Sequence, residues 1–172
     1  HFQLCKNGNP VLHSKVKSVK SDGLCYVGKG IDLHWKQNKY VGAILYANKC
    51  STFSIRKDNE YGEEIMKILY RSSNLADSPR LIDIEFPVAY KNLPKKLQNK
   101  KAILNEDDQW VFNMKGNFKI KSIKNCVITD EKNNNFASVM KVDKKTLDIK
   151  AYDDFSDLMI FAIGLSSFFC KL

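Results

Sequence analysis

The sequence lacks the short motifs by which many enzymes and metal proteins are recognised. It contains no Walker sequence, no H-E-x-x-H and no C-x-x-C. Gly28-Lys29-Gly30 lacks the third glycine of a dinucleotide fingerprint, and Ser166 lacks the second glycine of a nucleophile elbow. The acidic residues 106–108 follow an asparagine in a turn, which favours a solvated loop over a cation site. We therefore expect a protein that is not an enzyme and that holds no metal or cofactor.

Long apolar runs and export signals are also absent. The uncharged part of the longest apolar run is about 13 residues, short of the ~20 that a membrane span needs. There is no signal peptide and no Asn-x-Ser/Thr sequon, and the five cysteines have long, irregular gaps. Scattered thiols of this kind indicate a reducing compartment, so we expect a cytoplasmic protein without a transmembrane span. Because the first residue is His1 rather than Met, we expect the sequence to begin inside a longer protein.

No linker, repeat or low-complexity stretch divides the chain, so residues 1–172 are expected to form a single domain. Its net charge of +9 is unevenly distributed. Residues 1–57 contain ten Lys or Arg and two Asp, which makes +8, whereas the remainder is nearly neutral. This asymmetry predicts a surface for an anionic partner, either phospholipid headgroups or nucleic acid. The competing interpretation is a generally lysine-rich, solvated surface.

Most of the chain before residue 150 has the pattern of β-strands. Residues 118–121 alternate apolar with charged side chains, and residues 139–142 and 147–150 read as a hairpin with its turn at 143–146. Residues 63–70 fit a helix or a strand equally well, and the surrounding strands favour a strand. The other predicted strands are short runs bounded by Gly, Asn, Asp or Pro: residues 24–27, 41–45, 52–56, 81–86 and 111–114.

The last segment differs in kind. Residues 153–157 are an acidic opening suited to a helix N-terminus, and residues 158–169 are apolar on nearly every face. This pattern predicts a buried helix at about 153–170. A β-rich chain that ends in such a helix predicts an α+β fold. We expect a closed or nearly closed antiparallel β-barrel of roughly 11–12 strands around this central helix.

The basic stretch at residues 13–21 is the most suggestive feature for binding. On an extended strand, Lys15 and Lys17 would project from one face about 6.6 Å apart, with Lys20 adding its charge from the following turn. Ammonium groups arranged in this way suit vicinal phosphates. The same pattern also suits an edge strand that lysines protect against pairing.

The C-terminal stretch resembles a known family. Residues 161–168 read Phe-Ala-Ile-Gly-Leu-Ser-Ser-Phe and the chain closes with Lys-Leu at 171–172, which closely resembles the tubby signature Phe-Ala-Ile-Ala-Leu-Ser-Ser-Phe followed by Lys-Leu. Residues 105–125 contain Asn-Glu, Val-Phe-Asn, Gly and Ser-Ile-Lys-Asn, similar to the family's Trp-Asn-Glu-Glu, Val-Leu-Asn-Phe-His-Gly-Arg-Val and Ser-Val-Lys-Asn. Tyr-Val-Gly at 40–42 and Phe53 are similar to a strand pair that begins Tyr-Ile-Gly.

The chain thus resembles a divergent tubby C-terminal domain, shortened because nothing before Phe2 matches the family's first strand. The resemblance implies a barrel of about a dozen strands threaded by the C-terminal helix. It also implies a surface that binds phosphoinositides, selectively phosphatidylinositol bisphosphate. Tubby-like proteins use this surface for membrane tethering, and many carry membrane cargo into cilia.

The family's Lys/Arg-rich lipid-binding run falls on Lys15, Lys17 and Lys20, which the resemblance therefore implies as the phosphoinositide-binding residues. The cations on the family's next strand fall on Ala43 and Leu45, so half of the phosphate clamp is missing. Losing one charge-assisted contact can cost about 1.5–3 kcal/mol.

Four hypotheses remain. The leading one is a phosphoinositide-binding adaptor that tethers protein cargo, peripheral at the cytoplasmic membrane face and, by family analogy, in cilia. The alternative is a structural protein-interaction subunit whose lipid site has eroded. A scramblase-like barrel that acts on lipid is a third hypothesis, disfavoured by the lack of a calcium or palmitoylation cluster. Nucleic-acid binding agrees with the charge, but no RNP aromatic pair or recognition helix supports it.

Overall fold

The computed structural model describes residues 1–30, 40–72, 80–106, 110–111 and 122–171. Thirteen strands and one helix lie in these ranges: β1 Phe2–Lys6, β2 Asn9–Ser14, β3 Gly23–Lys29, β4 Tyr40–Ala47, β5 Thr52–Lys57, β6 Glu64–Arg71, β7 Leu81–Glu85, β8 Lys96–Asn99, β9 Ile103–Leu104, β10 Trp110–Val111, β11 Cys126–Thr129, β12 Asn135–Lys141, β13 Leu147–Ala151 and α1 Asp157–Phe169.

Eleven of the strands form one continuous sheet. Its order is β1-β2-β3-β4-β5-β6-β7-β8-β11-β12-β13, and every neighbouring pair is antiparallel. β9 and β10 form a separate two-stranded ladder. Nearly all connections therefore join neighbours, as in a meander.

The strand predictions agree with this sheet wherever they fall on described residues. The runs at 24–27, 41–45, 52–56 and 81–86 coincide with β3, β4, β5 and β7 to within a residue or two. The ambiguous run at 63–70 is β6, in agreement with the preferred interpretation. The predicted hairpin is β12 and β13, in which Val139 pairs with Ile149. Residues 118–121, and residues 112–114 of the run at 111–114, lie outside the described residues.

The helix is confirmed, but its predicted start at residue 153 is wrong. α1 begins at Asp157, because the side chain of Ser156 accepts a hydrogen bond from the backbone N–H of Met159 and so acts as the N-cap. Asp153 and Asp154 precede this cap. Asp157 is the acidic residue that lies in the first turn, where it suits the positive end of the helix dipole.

α1 packs against strands from both outer edges of the sheet. It contacts β1 and β13, the two outer strands, as well as β2, β4, β5 and β6. Its buried residues belong to one core with the inward-facing residues of the sheet, including Phe53, Ile55 and Met66. Among the described strands, β1 and β13 do not pair with each other, so the sheet is open between them.

Gly42 in β4 lies directly against α1. A Cβ atom there would overlap the side chain of Leu158 and lie 2.7 Å from the backbone oxygen of Arg56. Gly42 is therefore favoured by packing, because any side chain would press on the backbone of β5 as well as on Leu158 of α1.

Candidate functional site

The three predicted binding lysines lie in the loop between β2 and β3, not on a strand. β2 ends at Ser14, so the prediction that Lys15 and Lys17 lie on an extended strand is wrong. The hydroxyl of Ser14 donates to the backbone oxygen of Tyr26 at 2.7 Å, which occupies an acceptor that continued β2–β3 pairing would use. Residues 15–22 therefore form a connection that we call the lysine loop.

The far end of the lysine loop is fastened to the turn between β4 and β5. The N–H of Cys50 donates to the oxygen of Ser21 at 3.1 Å, and its thiol donates to the oxygen of Lys20 at 3.1 Å. The N–H of Asn48 donates to the carboxylate of Asp22 at 2.7 Å. These bonds hold the loop in place although it pairs with no strand, and they bring Lys49 to the same side of the molecule.

The lysine loop presents cations that are available to a ligand. Lys15, Lys17 and Lys20 are exposed, and none of them forms an ion pair within the described part of the chain. Asp22 is the only acidic residue of the loop, and its carboxylate is engaged by the bond from Asn48. Val19 is 40% exposed between the second and third lysines. An apolar side chain flanked by lysines suits the boundary between lipid headgroups and acyl chains.

Two further cations cap the C-terminus of α1. Arg80 Nη1 and Lys124 Nζ both donate to the backbone oxygen of Ser167, at 3.4 Å and 2.8 Å. Burial lowers the pKa of Lys124 to about 8, and the charges of Arg80 and Lys141 add to this effect. Because these groups satisfy a last-turn carbonyl, their first role is structural.

The outer surface of β4 offers no cation to complete a phosphate clamp. Ala43 is fully buried between its cross-strand neighbours Tyr26 and Arg56, and Leu45 is half-buried. Arg56 donates to Gly62 O at 3.1 Å and lies 3.8 Å from the carboxylate of Glu64, so its charge is already compensated. The candidate site therefore consists of the lysine loop and Lys49.

The described residues offer few groups for a metal site, a disulfide or a membrane span. No three His, Cys, Asp or Glu side chains of those ranges lie close enough to hold a metal ion. All five cysteines are described and are free thiols, and only Cys5 is exposed. None of the described helical structure is long and apolar enough to cross a membrane.

Comparison with known proteins found no match, either to a protein-family model or to a curated protein sequence.

Lys49 is the binding candidate that sequence reasoning missed. It is separated from Lys20 by two strands, and the two segments are brought together by the pairing of those strands and by the bonds that Cys50 and Asn48 make to residues 20–22. The one available signal in the sequence is the polar run Asn48-Lys49 between two apolar segments; in the structure Asn48, Lys49 and Cys50 all have positive φ. That run predicts a turn but does not indicate what the turn contacts.

Proposed function

We propose that this chain is a non-enzymatic domain that binds phosphoinositide headgroups on a membrane surface through the lysine loop. The observation that carries the proposal is the set of exposed, unpaired ammonium groups at Lys15, Lys17 and Lys20 on a fastened loop. A multiply charged headgroup would gain several ammonium contacts there with little ordering of the backbone.

The resemblance to tubby C-terminal domains supports this proposal. A β-rich meander that ends in an apolar helix agrees with it at the level of architecture. The same proposal includes a barrel closed by a further strand, cargo tethering at the cytoplasmic membrane face and a ciliary role.

Sedimentation with liposomes tests it. Each lysine near an anionic surface is worth about 1 kcal/mol, so Lys15→Ala/Lys17→Ala should weaken binding about thirtyfold. Lys95→Ala/Lys96→Ala removes the same charge from two exposed residues where β8 begins, and it should leave binding unchanged. Liposomes with phosphatidylserine at equal total charge measure how much of the binding is non-specific.

Two results would contradict the proposal. One is equal sedimentation on phosphatidylserine and on bisphosphorylated phosphoinositide. The other is equal loss of binding in the loop variant and in the β8 control. Binding should also fall as salt rises, since the Debye length is only about 8 Å at physiological ionic strength.

The alternative function, a protein-interaction subunit with an eroded lipid site, is favoured by one observation. Ala43 and Leu45 place no cation on β4, and the neighbouring Arg56 is already paired. Failure of the wild-type chain to sediment with any phosphoinositide at moderate salt, together with co-purification of a fixed protein partner, would select this alternative.

A further inference from the structure

The lysine loop, residues 15–22, consists of a fastened half and a free half. Residues 20–22 are held by the hydrogen bonds of Cys50 and Asn48. Within the described part of the chain, no hydrogen bond joins residues 15–19 to another segment, and Val16 is the one residue of these five that packs against the core. Residues 15–19 are therefore a short surface segment whose backbone groups are open to an enzyme that binds extended chains.

Three serines lie in or beside this loop, and the structure distinguishes them. Ser14 is buried, and its hydroxyl donates to a backbone oxygen of β3 at 2.7 Å. The hydroxyl of Ser21 donates to Asp22 Oδ2 at 3.2 Å, and its backbone oxygen accepts from the N–H of Cys50. Ser18 is exposed in the free half, and its hydroxyl makes no hydrogen bond with the described residues. Ser18 is therefore the serine of this loop that a modifying enzyme can reach.

The side chains around Ser18 form a basic pattern on both sides. Lys15 and Lys17 lie three positions and one position before it, and Lys20 lies two positions after it. All three lysines are exposed and form no ion pair within the described ranges. Val19, directly after Ser18, is 40% exposed. An acidic substrate cleft with an apolar pocket for the next residue is complementary to this pattern, and kinases select substrates by such charge patterns.

Thr146 offers a comparison within the same chain. It is exposed and follows Lys144 and Lys145. Asp143 lies three positions before it and Asp148 two positions after it, whereas the corresponding positions of the lysine loop hold lysines. The side chain of Thr146 is also hydrogen-bonded to the carboxylate of Asp143. Repulsion between these carboxylates and an acidic cleft should disfavour Thr146 as a substrate.

A phosphate on Ser18 would cancel the charge of the loop. Residues 15–22 contain three lysines and one aspartate, which makes a net charge of +2. A phosphoserine carries about −1.5 to −2 at pH 7 and three strong acceptor oxygens. Because Ser18 lies between Lys17 and Lys20 in the chain, its phosphate would compete with a phosphoinositide headgroup for their ammonium groups and would repel an anionic membrane.

We propose that Ser18 is a phosphorylation site for a serine/threonine kinase that selects basic segments, and that its phosphorylation releases the chain from the membrane. The release rests on the proposed function, whereas the modification does not. The kinase transfers the γ-phosphoryl group of ATP. A bond forms between Ser18 Oγ and phosphorus, the bond from phosphorus to the β–γ bridging oxygen breaks, ADP leaves, and the serine proton passes to a catalytic carboxylate of the kinase.

The first experiment locates the phosphate in the absence of lipid. The chain is incubated with ATP, Mg²⁺ and the catalytic domain of protein kinase C, which selects basic segments, and the modified residue is identified by mass spectrometry of its peptides. Ser18 should be modified first, and Ser18→Ala should lose most of the incorporated phosphate. Lys15→Asp/Lys20→Asp gives the loop the charge pattern that surrounds Thr146 and should slow the modification at least about tenfold.

The second experiment measures release from liposomes that contain bisphosphorylated phosphoinositide. Phosphorylation should weaken sedimentation about thirtyfold, because about two elementary charges are cancelled, as in Lys15→Ala/Lys17→Ala. Phosphatase treatment should restore binding. Ser18→Glu adds one negative charge and should weaken binding about fivefold. Thr146→Glu makes the same charge change outside the lysine loop and should bind like wild type.

The two experiments separate this proposal from the proposed function. No incorporation, or phosphate on Ser21 or Thr146 as fast as on Ser18, would overturn the site. Equal sedimentation of the phosphorylated and unmodified chains would overturn the release alone. Failure of the unmodified chain to sediment would overturn the proposed function and the release together, and the site would still be decided by the mass spectrum. Circular dichroism of each variant separates these results from loss of folding.

Discussion

Three buried hydroxyl groups join α1 to the sheet, and they allow a quantitative prediction. Tyr70 Oη lies 3.0 Å from Ser166 Oγ and 3.1 Å from Ser167 Oγ, and both serines donate to the backbone oxygen of Ile163. Four oxygen pairs are therefore within bonding distance. Three hydroxyls carry only three protons, so at most three of these hydrogen bonds exist at one time.

The substitution Tyr70→Phe removes one of the three protons and keeps the ring. The ring contact with Phe53, at 6.0 Å between centroids, should remain. Both serines keep their bonds to Ile163, so the only hydrogen bond lost is the one that Tyr70 donates to a serine. One buried serine oxygen then no longer accepts a hydrogen bond. The expected loss is about 1–2 kcal/mol of the free energy of unfolding. In a chain of this length that corresponds to about 2–8 °C in Tm.

Urea unfolding followed by circular dichroism measures this loss, and the urea dependence m should not change. Tyr61→Phe is the control, because Tyr61 is 88% exposed and its substitution should cost less than about 0.5 kcal/mol. Double-mutant cycles of Tyr70→Phe with Ser166→Ala and with Ser167→Ala should give couplings that together amount to about one hydrogen bond, since a single proton is shared. Stability of Tyr70→Phe equal to wild type would refute the reasoning, and couplings of zero would assign the loss to packing.

Two glycines and one lysine provide the remaining stability predictions. Gly42→Ala should lower the free energy of unfolding by about 1–3 kcal/mol, because backbone lies 2.7 Å from the new Cβ atom. Gly164→Ala should raise it by up to about 1 kcal/mol, because among the described residues outside the helix backbone only the flexible end of Ile149 lies close to the new Cβ atom. Equal changes in the free energy of unfolding for the two substitutions, measured by urea unfolding, would contradict both predictions. Between pH 8 and 10.5 the unfolded chain holds the Lys124 proton more tightly than the folded chain, because the pKa of Lys124 is lowered on folding. The free energy of unfolding of the wild type should therefore rise with pH relative to that of Lys124→Met. A difference between the two proteins that does not change across this pH range would be inconsistent with the lowered pKa.

The features that sequence reasoning predicted well are those determined by neighbouring residues. The hairpin of β12 and β13 is predicted by the alternation of apolar and polar residues and by a short turn. α1 is predicted by a run that is apolar on nearly every face, which is typical of a buried helix. The acidic residues 153–157 predict a start at residue 153, but α1 begins at Asp157, because the side-chain bond of Ser156 determines the start more strongly than a cluster of acids does.

The features that it missed depend on contacts between distant segments. Lys15 and Lys17 have the spacing of a strand, yet Ser14 ends β2 by bonding to the backbone of β3. A groove between β1, β13 and α1 is lined by residues 1–5 and by residues between 142 and 168. No local pattern shows that two strands 141 positions apart, from Lys6 to Leu147, line the same groove.

The position of α1 in the chain has a consequence for biosynthesis. The ribosome completes all eleven strands of the sheet before it makes the helix that fills their common core. Until then, inward residues such as Phe53 and Met66 have no helix to cover them, and the growing chain presents apolar surface and strand edges to other molecules. Stable folding is therefore expected to wait until α1 has been made and to be slow, with the nascent sheet dependent on chaperones. A premature stop before residue 157 would release a polypeptide that cannot complete its core.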